Sequence, residues 1–312
     1  MRIEYHRTLI ADTVRNEALF AALKQVIRKG ETVVADVGAG TGLLGLMASK
    51  LGAKAVYLYE AAEVAGVAAQ VLKTNRARNC HLLPCHSTEM HDPPQADVII
   101  SETLGNYALE ENIIDTIADA RKRFLKPGGV IIPNSIEQFV APVVSDRIHR
   151  ELSVWTGIGH DIDLTPARIM SFNNAYVRSL KPSELLDQGR SARAWDKIDL
   201  TRDAKSNRKG EAKWTLGAPT SIYGFAVWWS AGLGSGITLS TAPDAPATHW
   251  EQLYFPLERP VNAKKGDTIS VSLRSTSSEA GGTHLAWTAV HFDGKGQSLS
   301  RHAHDLNKGW IP

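Results

Sequence analysis

Between residues 32 and 133, short apolar runs alternate with longer runs of helical period, and few folds accept that alternation. "TVVADV" (32–37), "AVYLYE" (55–60), "HLLP", "DVIIS" and "GGVIIP" (128–133) read as strands. Residues 42–50, 63–77 and 111–125 read as helices between them, the last with Ile113, Ile114, Ile117, Phe124 and Leu125 on its apolar side. Alternating β and α units predict an α/β domain built on an open parallel sheet with helices on both faces. A further helix is expected over 7–28, where Leu9, Ile10, Val14, Leu19, Leu23, Val26 and Ile27 fall at helical spacing before Lys29-Gly30.

The pattern changes after Pro133. "EQFVAPVV", "SIYGFAVWW", "EQLYFPL", "DTISVSL" and "HLAWTAVHF" are strand-like and separated by turn residues, and Asp293-Gly294 is a hairpin signal. Residues 203–213 are basic, poor in apolar side chains, and read as a loop. Residues 1–133 are therefore expected to form one domain, and 134–312 a β-sandwich or barrel interrupted at 146–182 by a helical insertion. At 312 residues, 43% of them hydrophobic, the chain is long enough for both.

Charge excludes little but favours nothing exotic. With 35 Lys plus Arg against 33 Asp plus Glu, the net charge of +2 gives no argument for a nucleic-acid or membrane partner. "MRIEYHRTLI" lacks the apolar core of a signal peptide and no run approaches a membrane span, so a cytoplasmic location is the expectation. Cys80 and Cys85 are interleaved with His81, His86 and His91, but the spacing fits no tight metal pattern; no metal and no disulfide are expected.

"ADVGAGTG" puts Gly38, Gly40 and Gly42 directly after the first strand, where glycines let backbone approach a ligand closely. The sixth position of a dinucleotide fingerprint would be Leu43, and Asp36 would place an anion beside a pyrophosphate. A cofactor with an ammonium, a carboxylate and no phosphate suits the loop better, and S-adenosylmethionine is one. Glu60, at the end of the second strand, stands where an acidic side chain accepts bonds from ribose hydroxyls.

Glu102 follows the buried strand 97–100, and Glu111 comes nine residues later beside Glu110. Two nearby carboxylates stay ionised only with positive charge between them. A sulfonium cofactor and a guanidinium substrate supply two cations, and carboxylates grip a guanidinium bidentately. A solvated acidic loop ahead of a helix N-terminus is the plainer reading of the same residues.

At these positions the chain resembles the protein arginine methyltransferases. The matching features are Ser101, Glu102, Gly105 and Glu111 in a double-glutamate loop; His6, Asp12 and Arg15 in "HRTLIADTVR"; and Thr248, His249 and Trp250 in a Thr-His-Trp loop. The resemblance covers most of the chain. It implies a Rossmann-like class I methyltransferase domain, a β-barrel, and a helical arm at 146–182 that makes a homodimer. His6 and Arg15 would help hold the cofactor together with Asp36 and the three glycines, Glu60 would take the ribose, and Thr88 or Glu89 would lie near the adenine. Glu102 and Glu111 would clamp the guanidinium with Trp250 nearby, and Asp12 with His249 would form a pair able to relay a proton. Plainer readings remain open: an i, i+3 ion pair for Asp12 and Arg15, a surface-loop histidine for His249, and a core ring for Trp250.

The sequence departs from the family in three places. Only five residues precede His6, so the usual Tyr-Phe-x-x-Tyr helix has no room; the two pocket methionines fall on Leu9 and Ile113; and Trp-Met after the first glutamate is Thr103-Leu104. The expected substrate is arginine in a peptide or protein, with free L-arginine or another small guanidine as the alternative. A nicotinamide dehydrogenase would share Gly38, Gly40 and Glu60 but leaves the carboxylate pair unexplained. A catalytically silent scaffold subunit is the remaining reading.

Overall fold

A computed structural model describes residues 3–278 and 280–308. Strands β1 (Val33–Val37), β2 (Ala55–Tyr59), β3 (Cys80–Leu83), β4 (Ala96–Ile100) and β5 (Leu125–Ile132) form one sheet in the order β3-β2-β1-β4-β5. All its ladders are parallel. Chain order reverses between β1 and β4, and in open α/β sheets a ligand crevice opens at such a point, beyond the strands' carboxyl ends.

Helices α1 (Ile3–Ala11) and α2 (Thr13–Val26) replace the single helix expected over 7–28. The break is chemical. Asp12 adopts an extended backbone and its carboxylate accepts the Arg15 N–H at 2.9 Å, starting a new helix. Buried Leu19 and Leu23 fix α2, which packs against α3 (Leu43–Lys50) and also against strands of the second half. Helices α4 (Ala65–Thr74) and α5 (Ile113–Arg123) complete the layers. Both are shorter than expected, α5 because Asn112 sits at φ 56° and ends the preceding loop in a left-handed turn.

The remaining strands make two antiparallel sheets. One joins β6 (Ser135–Val143), β7 (Tyr176–Arg178), β8 (Arg193–Asp199), β10 (Thr220–Gly234), β11 (Ile237–Ser240) and β12 (Gln252–Ala263). The other runs β15-β14-β13-β9, from β9 (Asn207–Thr215), β13 (Thr268–Ser278), β14 (Gly282–Phe292) and β15 (Ser298–Asp305). Rings from the two sheets meet: Phe255 stacks on Trp287 at 4.4 Å and Trp214 lies 5.9 Å from Phe225. The buried core is continuous from Leu19 and Ile100 to Phe255 and Trp287, so the parallel and antiparallel halves share one apolar interior.

One strand reading needs correction and one hairpin reading is refined. The basic stretch 203–213 is not all loop: from Asn207 it is β9, an edge strand whose lysines face water while Ala212 and Trp214 are buried. Asp293-Gly294 does sit in a hairpin, but in a five-residue connection whose left-handed glycine is Gly296. Within 146–182, α6 (Arg147–Leu152) and α7 (Thr165–Phe172) form the insertion. Leu152 and Phe172 pack with Tyr254 and Trp228 in the chain's own second core, whereas Val154, Ile158, Ile162 and Met170 are exposed.

Candidate active site

The carboxyl ends of β1, β2 and β4 open on a cavity of about 350 Å3. Its walls include His6, Arg15, Gly38, Gly40, Glu60, Glu102 and Glu111, which the sequence placed far apart. The glycine loop builds one side. Gly38 and Gly40 have φ of 74° and 56°, a region an L side chain resists. A Cβ on Gly38 would stand 2.7 Å from Thr103, so glycine lets this loop pass the carboxylate loop. A Cβ on Gly40 would meet the His6 ring at 3.2 Å.

Glu60 closes that loop from beneath. Its carboxylate accepts the Gly40 N–H at 2.7 Å and the Ala62 N–H at 2.8 Å. An ionised carboxylate offers about four acceptor positions, so ribose hydroxyls can still be taken. Asp36 and Gly42 do not line the cavity. Asp36 is fully buried behind the loop, holds the Gly45 N–H at 2.8 Å, and is pushed up to about 7 by desolvation, an effect the Gly45 bond only partly offsets. Gly42, at φ 83°, begins α3 against Leu58 and Ala68. Thr88 and Glu89 are exposed in a turn capped by His86; Cys85, His86 and Ser87 line the wall instead, one turn earlier than expected.

Arg15 is the link between the two ends. Its guanidinium is buried against Glu102, with Nε 2.6 Å from Oε2 and the second contact from Nη2 to the same oxygen. Its Nη1 donates to Asn16 at 2.7 Å. Arg15 and Asp12 are therefore no i, i+3 ion pair. Asp12 instead accepts both the backbone N–H of His249 at 2.8 Å and its Nδ1 at 2.7 Å. Burial, the largest influence on each, lowers the His249 pKa and would raise that of Asp12, but hydrogen bonds from Arg15 and His249 bring Asp12 below the usual carboxylate range. The pair is thus carboxylate and neutral imidazole, with Nδ1–H donating and a buried Nε2 that has no partner among the described residues. Neither residue lines the cavity; they stand behind Arg15.

Glu111 differs from Glu102. It is exposed at the rim and its carboxylate has no hydrogen bond among the described residues. Burial of its inner side, then Glu102, Glu110 and Glu60, push its pKa up. His6, whose Nε2 is buried without a partner, is pushed down by desolvation and is neutral. With His6 neutral, the wall sets Arg15 against Glu60, Glu102 and Glu111, a formal net of two negative charges. A sulfonium amino acid and a guanidinium bring two positive charges, and the sum is zero. The glycine cradle, the ribose acceptor and this charge complement fit S-adenosylmethionine.

The carboxylate loop is held from the antiparallel sheets. Trp250 Nε1 donates to the Leu104 carbonyl at 2.8 Å and Trp229 Nε1 to the Gly105 carbonyl at 3.0 Å. Asn106 accepts the Glu251 N–H at 2.9 Å. Trp250 is buried and does not line the cavity, so the core reading holds for its ring, and its indole N–H positions the loop. Nothing in the spacing of Trp229 or Asn106 marks them; only the Thr-His-Trp match pointed near this contact.

Known proteins resemble this chain in sequence and in fold. The family described as arginine methyltransferase oligomerization subdomain matches residues 135–293, and the one described as ribosomal protein L11 methyltransferase matches 17–157. The chain is 30% identical over 295 residues to protein arginine N-methyltransferase 6 of Xenopus tropicalis, covering 91% of this chain and 86% of that one. It is 29% identical over 284 residues to an arginine N(omega)-methyltransferase of Streptomyces achromogenes subsp. streptozoticus, covering 86% and 75%. The Trypanosoma brucei PRMT1 enzyme–prozyme complex with AdoHcy superposes with a TM-score of 0.86 at 22% identity over 98% of both chains. Arabidopsis thaliana protein arginine methyltransferase 10 gives 0.81 at 23%. At those identities the structures attest the shared fold, and the sequence matches attest the lineage: this chain belongs to the protein arginine methyltransferase family.

Proposed function

We propose that this chain, an S-adenosylmethionine-dependent arginine N-methyltransferase, acts on arginine within a peptide or protein. The observation that carries the reading is the pair Glu102 and Glu111 on one cavity with Glu60 and the glycine loop. S-adenosylmethionine supplies an electrophilic methyl group. His6, Gly38, Gly40 and Glu60 hold its adenosyl and amino-acid parts. Glu102, fixed by Arg15, and Glu111, at the rim, grip the substrate guanidinium and orient one nitrogen inward, which is catalysis by positioning. The proton lost from that nitrogen can pass to Glu111, whose raised pKa suits an acceptor.

The choice of peptidyl arginine rests on charge. A free amino acid presents an α-carboxylate, yet Arg15 is the sole arginine or lysine among the described cavity-lining residues and it is committed to Glu102. Incubation with labelled S-adenosylmethionine and either an arginine peptide or L-arginine tests this. The peptide should take the label faster; labelling of L-arginine with an inert peptide would reverse the assignment.

The exposed Val154, Ile158, Ile162 and Met170 on the 146–182 insertion support a homodimer through that arm, since a lone chain leaves them in water. Light scattering at micromolar concentration should report twice the 34.0 kDa chain mass.

A further inference from the structure

Glu111 makes no hydrogen bond among the described residues, so its place is set by its backbone. That backbone is a turn: the Leu109 carbonyl accepts the Asn112 N–H at 3.3 Å, with Glu110 and Glu111 as the central residues. The Leu109 side chain is fully buried, and the same carbonyl meets two hydroxyls from the far end of the β13–β14 hairpin. Ser277 Oγ lies 2.7 Å from it and Thr283 Oγ1 3.0 Å. Ser277 and Thr283 face each other across the ladder, their hydroxyls 2.9 Å apart.

We propose that the Ser277–Thr283 hydroxyl pair is a positioning device for Glu111, clamping the Leu109 carbonyl so that the second carboxylate faces the first across the guanidinium site. It rests on the reading of Glu111 as a guanidinium clamp. Two hydroxyls carry two protons for three contacts: one donates to Leu109, and the other donates either to Leu109 or to its neighbour. Either residue alone can keep the carbonyl tied to the hairpin, beside the Asn112 N–H. Glu102 needs no such device, because Arg15 grips its side chain directly. None of the hairpin's described residues borders the cofactor cavity, so losing the clamp should leave the cofactor end unchanged.

The device predicts non-additive variants. Ser277→Ala and Thr283→Val should each lower kcat/KM for an arginine peptide by about threefold, the loss of one of two shared donors. The double variant should lose about a hundredfold, the cost of misplacing a reacting group by an ångström. S-adenosylhomocysteine affinity by calorimetry should stay within about twofold in all three, as expected for sites that share no partners. Ser277→Ala with Thr283→Ser restores one hydroxyl and should recover to the level of the single variants.

A double variant with unchanged kcat/KM, additive losses, or an equal loss of S-adenosylhomocysteine affinity would each overturn the proposal. Glu111→Gln is run alongside. If Glu111→Gln is fully active, the clamp reading of Glu111 fails; if Glu111→Gln is impaired and the double variant is not, only the positioning proposal fails.

Discussion

The two loops that frame the cavity are built on opposite plans. The glycine loop is held by its own neighbourhood: Gly38 and Ala39 donate to the Tyr59 carbonyl, Gly40 to Glu60, and Gly45 to Asp36. The carboxylate loop leaves the same sheet but is held from far along the chain, by Trp229, Trp250, Ser277 and Thr283. The hydrogen bonds that set the glycine loop thus close within the parallel half, whereas many of those that set the carboxylate loop come from the antiparallel half. Substitutions that remove the hydrogen bonds of one loop should leave those of the other in place.

The largest expected effects separate the two carboxylates themselves. Glu111→Gln removes a charge that grips substrate and should lower kcat by about a hundredfold or more, the scale of losing one preorganised electrostatic contact. It should leave thermal stability unchanged or raised, because ionised Glu111 is opposed by Glu102, Glu110 and Glu60. Glu102→Gln should lose as much activity and also stability, since Arg15 is then buried without its counter-ion; breaking such a pair costs about 3–5 kcal/mol. Paired melting curves and turnover rates check this. Equal melting temperatures would mean that Arg15 finds another partner.

Next comes the cofactor end. Glu60→Ala removes a charged acceptor, a loss of about 1.5–3 kcal/mol, and should weaken S-adenosylhomocysteine binding by about ten- to a hundredfold. The KM for an arginine peptide, measured at saturating cofactor, should barely move. A parallel rise in both constants would show that the loops are coupled after all.

The reverse experiment uses the antiparallel half. Trp229→Phe keeps a ring in the core but removes the N–H held by the Gly105 carbonyl. Losing one neutral hydrogen bond is worth about 0.5–1.5 kcal/mol, so kcat/KM should fall by up to about tenfold with cofactor affinity unchanged.

The same contrast explains what could be read in advance. Gly38, Gly40 and Glu60 were legible because strand, turn and helix follow one another and the hydrogen bonds close locally. Glu102 and Glu111 were legible as a pair, but not the asymmetry between them, because Arg15 lies 87 residues from Glu102. Trp229, Asn106 and Thr283 carry no local signal; an indole or hydroxyl becomes a positioning group only when folding sets it against a particular carbonyl. The break at Asp12 was missed because helical spacing runs through it, while its carboxylate serves as a helix cap and a partner for His249. β9 was missed for the opposite reason: an edge strand with lysines facing water has the composition of a loop.

The smallest effect on the cofactor is expected at Asp36, which lies behind the glycine loop and does not line the cavity. Asp36→Asn keeps an oxygen for the Gly45 N–H, so S-adenosylhomocysteine affinity should change by less than about threefold, against the tenfold or more expected at Glu60. Stability should respond instead. The folded-state pKa of Asp36 is raised to about 7, so between the ordinary carboxyl value and neutrality the folded chain keeps a proton that the unfolded chain has released. Its contribution therefore weakens as pH rises through that window and levels off above it. At about 1.36 kcal/mol per pH unit, the rise from the ordinary carboxyl value to about 7 amounts to roughly 4 kcal/mol. Urea unfolding of both proteins should show the Asn variant gaining on the wild type from pH 4 to pH 8, with little difference at the acid end. Parallel pH profiles would mean that Asp36 is ionised in the fold near pH 5, and the glycine loop would then rest on a buried charge rather than a neutral carboxyl.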